Sequence, residues 1–126
     1  MVPADLRYTK DHEWVRLDGD QATVGVTDFA AHELGDVVFV DLPPVGRSLD
    51  QFATFGVVES VKAVSDLFAP VGGEVVEVNP ALGDRPELVN SDPFGEGWMI
   101  RLRVKDPAHV AGLLDSAAYE KLVAES

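Results

Sequence analysis

The fold is decided by a β-hairpin pattern with one lysine at its centre, Val57-Val58-Glu59-Ser60-Val61-Lys62-Ala63-Val64-Ser65-Asp66. Apolar residues approach the lysine from both sides, and a polar pair stands before and after it. Such a pattern predicts two antiparallel strands joined by a tight turn. The turn contains no Gly, Asn or Pro, so we expect a type I-like turn, which accepts most residues.

Lys62 is the only basic residue between Arg47 and Arg85. An isolated amine at a hairpin tip suits the attachment of a swinging cofactor, which needs a rigid base and a mobile end. A Schiff-base nucleophile is disfavoured, because Glu59 and Asp66 would stabilise the ammonium form. On this pattern alone, an ordinary surface lysine at a turn remains an open alternative.

Strand patterns surround the hairpin on both sides, and helical patterns are few. A short helix is expected from Thr27 or Asp28, as its cap, to Gly35, which ends it. Two short helices are expected near the C-terminus, with Ser116 as the cap between them. Strands are expected at residues 7–8, 14–17, 22–26, 37–42, 52–61, 65–69, 74–78 and 98–104. The chain is therefore predicted to be mainly β, with small sheets forming a sandwich or a barrel.

The amino-acid composition argues against several classes of function. The 126 residues suit a single domain over 1–126, and the net charge of −12 argues against nucleic-acid binding. The absence of cysteine excludes disulfides and thiolate metal sites, and the three histidines show no metal-site spacing. No apolar run is long enough to cross a bilayer, and no signal peptide is visible. We expect a cytoplasmic protein without membrane or nucleic-acid partners, although a mature organellar matrix protein would look the same.

The core Glu59-Ser60-Val61-Lys62-Ala63 and several further segments closely resemble the H protein family of the glycine cleavage system. The most specific match is the core Glu59-Ser60-Val61-Lys62-Ala63, and the similarity extends to the Leu113-Leu114-Asp115 and Ala118-Tyr119-Glu120 segments of the tail. The other matching stretches are residues 8–15, 24–27, 34–43, 69–75, 86–90 and 97–100. The resemblance implies a hybrid of β-sheets of the lipoyl/biotinyl-carrier type, with a short internal helix and C-terminal helices.

The resemblance also implies a cofactor and a set of partners. Family members carry lipoate in amide linkage on the lysine that matches Lys62, and they shuttle an aminomethyl group without turnover of their own. Glycine decarboxylase, with pyridoxal phosphate, would load the arm. A tetrahydrofolate-dependent aminomethyltransferase would unload it, and dihydrolipoamide dehydrogenase, with FAD and NAD, would reoxidise it. Lipoylating enzymes would attach the arm.

Site residues follow from matching positions in the family. Glu59, Ser60, Val61 and Ala63 are expected to shape the hairpin that lipoylating enzymes recognise. Glu13 and Asp66 match a cleft that receives the loaded arm, although surface pairing of Glu13 with Arg7 or Arg16 is an alternative. Some family members carry a histidine where this chain has Glu33; His32, next to it, is a candidate for the same pocket.

Four other functions compete with the glycine shuttle. A lipoyl domain of a 2-oxo acid dehydrogenase complex usually reads Asp-Lys-Ala at the tip and has Pro/Ala-rich linkers. A biotin carrier usually reads Met-Lys-Met, whereas Val61 and Ala63 flank the lysine here. A lysine-dependent lyase would be active without added partners. An H-like protein that relays lipoyl groups could have the same motif, so the sequence separates it poorly.

Overall fold

The computed structural model describes residues 2–125, which form two antiparallel sheets and a few short helices. One sheet, sheet A, has six strands in the order β1-β2-β3-β9-β8-β5, and the other, sheet B, has three strands in the order β4-β6-β7. The strands are β1 (Arg7–Tyr8), β2 (Glu13–Asp18), β3 (Gln21–Val26), β4 (Val37–Asp41), β5 (Ser48–Leu49), β6 (Thr54–Ser60), β7 (Val64–Phe68), β8 (Gly73–Val78) and β9 (Ile100–Val104). The prediction of a mainly β, sandwich-like fold is confirmed.

The helices are α1 (Asp28–Leu34), α2 (Ala81–Asp84), α3 (Leu88–Ser91), α4 (Ala108–Ala111) and α5 (Ser116–Ala124). Helix α1 begins at Thr27, whose side chain accepts a hydrogen bond from the Ala30 N–H. It ends at Gly35, whose φ of 79° lies in the left-handed region that favours glycine. Both C-terminal helices are present. The prediction of Ser116 as the cap is wrong. The Asp115 side chain accepts a hydrogen bond from the Ala118 N–H, and Ser116 is the first helical residue.

The main core lies between the two sheets. Val24, Ile100 and Leu102 from sheet A join Val58 and Leu67 from sheet B in one buried cluster. A second cluster covers the other face of sheet A, where α5 places Tyr119 against Tyr8 and Trp14. Burial of these apolar side chains stabilises the fold and fixes sheet B against sheet A. Within residues 2–125, no helix is long and apolar enough to span a membrane.

The start of the hairpin differs from the prediction. Strand β6 begins at Thr54, and the predicted strand start, Phe52, has a φ of +66°. That left-handed conformation places Phe52 in a turn, where its N–H donates to the Ala69 carbonyl oxygen (2.6 Å). Strand periodicity could not show this turn, because an aromatic residue is a poor candidate for a positive φ.

Gly56 allows β4 and β6 to approach closely. A Cβ at this position would overlap the backbone carbonyl oxygen of Asp41. The pairing register of β6 with β7 also shifts between Thr54 and Gly56. Sheet B, which holds the hairpin, therefore depends on the absence of a side chain here.

We expect Gly56→Ala to lower the free energy of unfolding by about 2 kcal/mol or more, because β4 and β6 must separate to admit the methyl group. The matched control is Gly83→Ala, since a Cβ at Gly83 would meet no atom within 4 Å. The control should change stability by less than about 1 kcal/mol. Urea unfolding measures both variants, and equal losses would show that the close approach at Gly56 is unimportant.

Candidate functional site

The hairpin formed by β6 and β7 presents Lys62 at an exposed tip. The Ser60 N–H donates to the Ala63 carbonyl oxygen (2.8 Å), so only Val61 and Lys62 form the loop. Neither loop residue has a positive φ, as a type I-like turn requires. The amine is thus carried on a short, regular turn and is not buried in the body of the fold.

Ser60 fixes the shape of this turn with its side chain. Its Oγ accepts hydrogen bonds from the backbone N–H groups of Lys62 (3.3 Å) and Ala63 (3.1 Å). Short polar side chains often satisfy turn amides in this way. The structure therefore gives Ser60 a physical role in the hairpin, which the motif resemblance alone did not supply.

The tip is also attached to the end of helix α1. The Val61 N–H donates to the Asp36 carbonyl oxygen (3.0 Å). The stem of Lys62 lies beside Gly35, where a Cβ would be 3.5 Å from the Lys62 Cε. The hairpin tip is therefore positioned against the end of α1, and the Lys62 side chain is exposed.

A cleft of about 190 Å³ lies next to this attachment, between α1, β2 and the hairpin. Val26, Leu34, Val58 and Leu67 supply its apolar walls. Its polar groups are His12, Ser65 and the carboxyl side chains of Asp11, Glu13, Glu33 and Asp66. Leu34 lines this cleft, whereas the next two residues, Gly35 and Asp36, line a separate and larger cavity.

Glu13 is the buried carboxyl group of this cleft, with only 2% of its surface exposed. Its Oε1 accepts a hydrogen bond from the Thr9 hydroxyl (2.6 Å), and its Oε2 accepts one from the Phe68 N–H (3.3 Å). Burial raises the pKa of Glu13 to about 7, although both hydrogen bonds act in the opposite direction. The alternative of surface pairing with Arg7 or Arg16 is wrong, because Glu13 is buried and Arg16 lies over the Trp14 ring.

His12 connects the cleft to helix α5. Its Nδ1 is 2.8 Å from the Tyr119 hydroxyl, which also lies 2.6 Å from the Thr27 Oγ1. Burial lowers the pKa of His12, while the nearby carboxylates of Asp11 and Glu33 act in the opposite direction. The φ of His12 is +72°, which places the residue in a tight turn. The sequence analysis assigned no role to His12. Only its position directly before Glu13 could have indicated that it lines the cleft.

The residues assigned to the arm pocket are only partly brought together. Glu13 and Asp66 line the same cleft, and Asp66 lies at its exposed rim on the edge strand β7. His32 does not line this cleft. It faces a separate cavity of about 920 Å³, beside Asp28 and Asn90. Successive helical residues point about 100° apart, so Glu33 faces the cleft when His32 faces away from it.

Among residues 2–125, no group of three or more His, Asp or Glu side chains is arranged to hold a metal ion.

We expect Glu13→Gln to stabilise the protein increasingly as the pH rises from about 4.5 to about 7. In this range the unfolded carboxyl loses its proton before the folded one, so wild-type stability falls with rising pH. The amide cannot ionise and escapes this loss, which should reach the order of 3 kcal/mol. Urea unfolding at pH 4.5 and pH 8 measures the difference between variant and wild type. An equal difference at both pH values would contradict a buried carboxyl with a raised pKa.

Comparisons with known proteins agree with this geometry. A sequence model of the family described as "Glycine cleavage H-protein" matches residues 6–126. The glycine cleavage system H protein of Chlorobium limicola is 59% identical, over 98% of this chain and 98% of its own. That of Symbiobacterium thermophilum is 57% identical, over 98% and 97%. The crystal structure of a glycine cleavage system H protein from Mycobacterium marinum superposes with a TM-score of 0.90 at 40% identity, over 98% of this chain and 99% of that one. The chain therefore belongs to the glycine cleavage H-protein family.

Proposed function

We propose that Lys62 carries lipoate in amide linkage and that the cleft beside α1 receives the end of this arm. The chain is a lipoyl-bearing shuttle of the glycine cleavage system. The single observation that carries the proposal is the exposed Lys62, held on a turn whose backbone is fixed by Ser60 and Asp36. An acylated lysine needs this combination of a rigid base and an accessible amine.

The surroundings of Lys62 fit the group that it would carry. Lipoate on Lys62 would supply two sulfur atoms, and opening of the ring's S–S bond would let one sulfur carry an aminomethyl group while the other becomes a thiol. The cleft offers apolar walls for an aliphatic arm and carboxyl groups for an amine. Glu13 is fixed by Thr9 and the Phe68 amide, so it needs no rearrangement to accept a hydrogen bond from an amine. Asp66 at the rim adds negative charge where the arm would enter.

The proposal includes a set of partners and the absence of catalysis. Glycine decarboxylase with pyridoxal phosphate would load the arm. The tetrahydrofolate-dependent aminomethyltransferase would unload it, dihydrolipoamide dehydrogenase with FAD and NAD would reoxidise it, and lipoylating enzymes would attach it. We propose that the chain acts as a non-catalytic carrier, as one domain over residues 1–126, in the cytoplasm. The acidic net charge of −12 favours encounters with enzymes that have basic docking surfaces.

A lipoyl relay to other acceptor proteins is the second candidate, because the same exposed lysine would serve it. Reconstitution separates the two. The glycine shuttle requires glycine decarboxylase for any exchange between glycine and bicarbonate, whereas a relay transfers lipoyl groups without that enzyme.

Lys62→Arg should abolish glycine-dependent exchange with glycine decarboxylase while leaving the urea midpoint unchanged. Arginine keeps the charge and the exposed position but cannot form the amide. Lys121→Arg on α5 is the matched control, since it makes the same change at another exposed lysine. Exchange activity retained in Lys62→Arg would refute the carrier proposal.

Glu59→Ala should slow lipoylation of Lys62 about tenfold while changing stability by less than about 0.5 kcal/mol. Within residues 2–125, the Glu59 carboxylate forms no ion pair, so the fold gains little from it. The measurements are the initial rate of lipoylation, by mass spectrometry, and urea unfolding. A large loss of stability with an unchanged rate would make Glu59 structural.

A further inference from the structure

An apolar strip lies on the outer face of sheet B beside Lys62. Seven large hydrophobic side chains are exposed among residues 2–125, and four of them surround the hairpin tip. These four, which we call the tip strip, are Val38 (52% exposed), Phe39 (51%), Val61 (70%) and Val64 (69%). Isolated exposed hydrophobic residues are ordinary, but a contiguous group indicates a surface that another molecule covers.

The strand register shows that Phe39 and Val64 share one face. Glu59 pairs with Phe39 on one side and with Val64 on the other, and residues paired across antiparallel strands point the same way. Their neighbours Val40 and Val58 are buried on the opposite face. Phe39 and Val64 therefore flank the Glu59 carboxylate on the solvent side, and Val64 is two residues from Lys62 in the chain.

The acidic side chains of sheet B indicate which kind of partner could bind there. Its three strands contain Asp41, Glu59 and Asp66 but no Lys or Arg. Within residues 2–125, none of these carboxylates forms an ion pair. A second copy of this chain would bring like charges together, and an anionic membrane surface would be repelled. An apolar surface bordered by basic side chains is complementary to the strip.

We propose that the tip strip is the docking surface for the enzyme that lipoylates Lys62, through an apolar patch bordered by Lys or Arg side chains. The inference rests on the proposed function. Before modification only the lysine stem separates the amine from the sheet, so an enzyme that reaches the amine must also approach Val64 and Phe39. After lipoylation the longer arm lets other partners act from further away. The strip therefore acts mainly at the acylation stage.

The test is lipoylation of the full-length, unmodified chain by the source organism's lipoylating enzyme with lipoate and ATP. The Phe39→Thr/Val64→Thr variant should raise KM about tenfold, because removal of an interface aromatic and its neighbour costs about 1.4 kcal/mol of binding. Its kcat should change less than twofold, since Lys62 itself is unaltered. Threonine is β-branched and suits an exposed strand. The single Val64→Thr variant, expected to raise KM about threefold, serves if the double variant does not fold.

Leu17→Thr/Val45→Thr is the matched control. Leu17 (39%) and Val45 (61%) are also exposed and hydrophobic, but they lie outside the tip strip. The control should keep the wild-type KM. A second readout needs no acylation: the Lys62→Arg chain should inhibit lipoylation competitively, and adding Phe39→Thr/Val64→Thr should raise its inhibition constant about tenfold.

Three outcomes would overturn the docking proposal: an unchanged KM in the strip variants, an equal rise in the control, or a strip-dependent dimer in sedimentation. Each leaves the lipoyl-carrier proposal intact as long as wild-type Lys62 is modified. Failure of the enzyme to modify wild-type Lys62 would instead refute the carrier proposal itself.

Discussion

The hydrogen bond from the Val61 N–H to the Asp36 carbonyl oxygen is the constraint on which the site depends. Strand β4 pairs with β6 as far as Ser60, so only the two-residue loop that carries the lysine lies beyond the sheet. This bond ties the tip to the residue that follows the Gly35 end of helix α1. The backbone of the hairpin tip is therefore joined directly to the end of α1.

Helix α1 forms one wall of the cleft. Thr27 begins the helix and also contacts the Tyr119 hydroxyl, so the C-terminal helix supports the wall that carries Leu34 and Glu33. Across the cleft, Glu13 remains buried because the Thr9 hydroxyl and the Phe68 amide satisfy its oxygens. A buried carboxyl group with a pKa of about 7 gains favourable interactions when an amine arrives. The burial of Glu13 therefore favours the binding of a cationic group in the cleft.

Local patterns in the sequence were sufficient to predict the hairpin, the Thr27 cap and the Gly35 end of α1, because neighbouring residues determine each of them. Contacts between distant segments were not predictable in this way. The burial of Glu13 depends on Phe68, and the connection of His12 to α5 depends on Tyr119. Whether His32 or Glu33 faces the cleft depends on how α1 is rotated against the sheets. The sequence of so short a helix does not determine this rotation. The turn at Phe52 has no local signal.

The central claim is that the amine at the hairpin tip is the attachment point of lipoate. Peptide mapping by tandem mass spectrometry, on the wild-type protein purified from lipoate-fed cells, tests it most directly. The account predicts one lipoyl amide, on the peptide that contains Lys62, and unmodified Lys10, Lys105 and Lys121. An unmodified Lys62, or lipoate on another lysine, would contradict it.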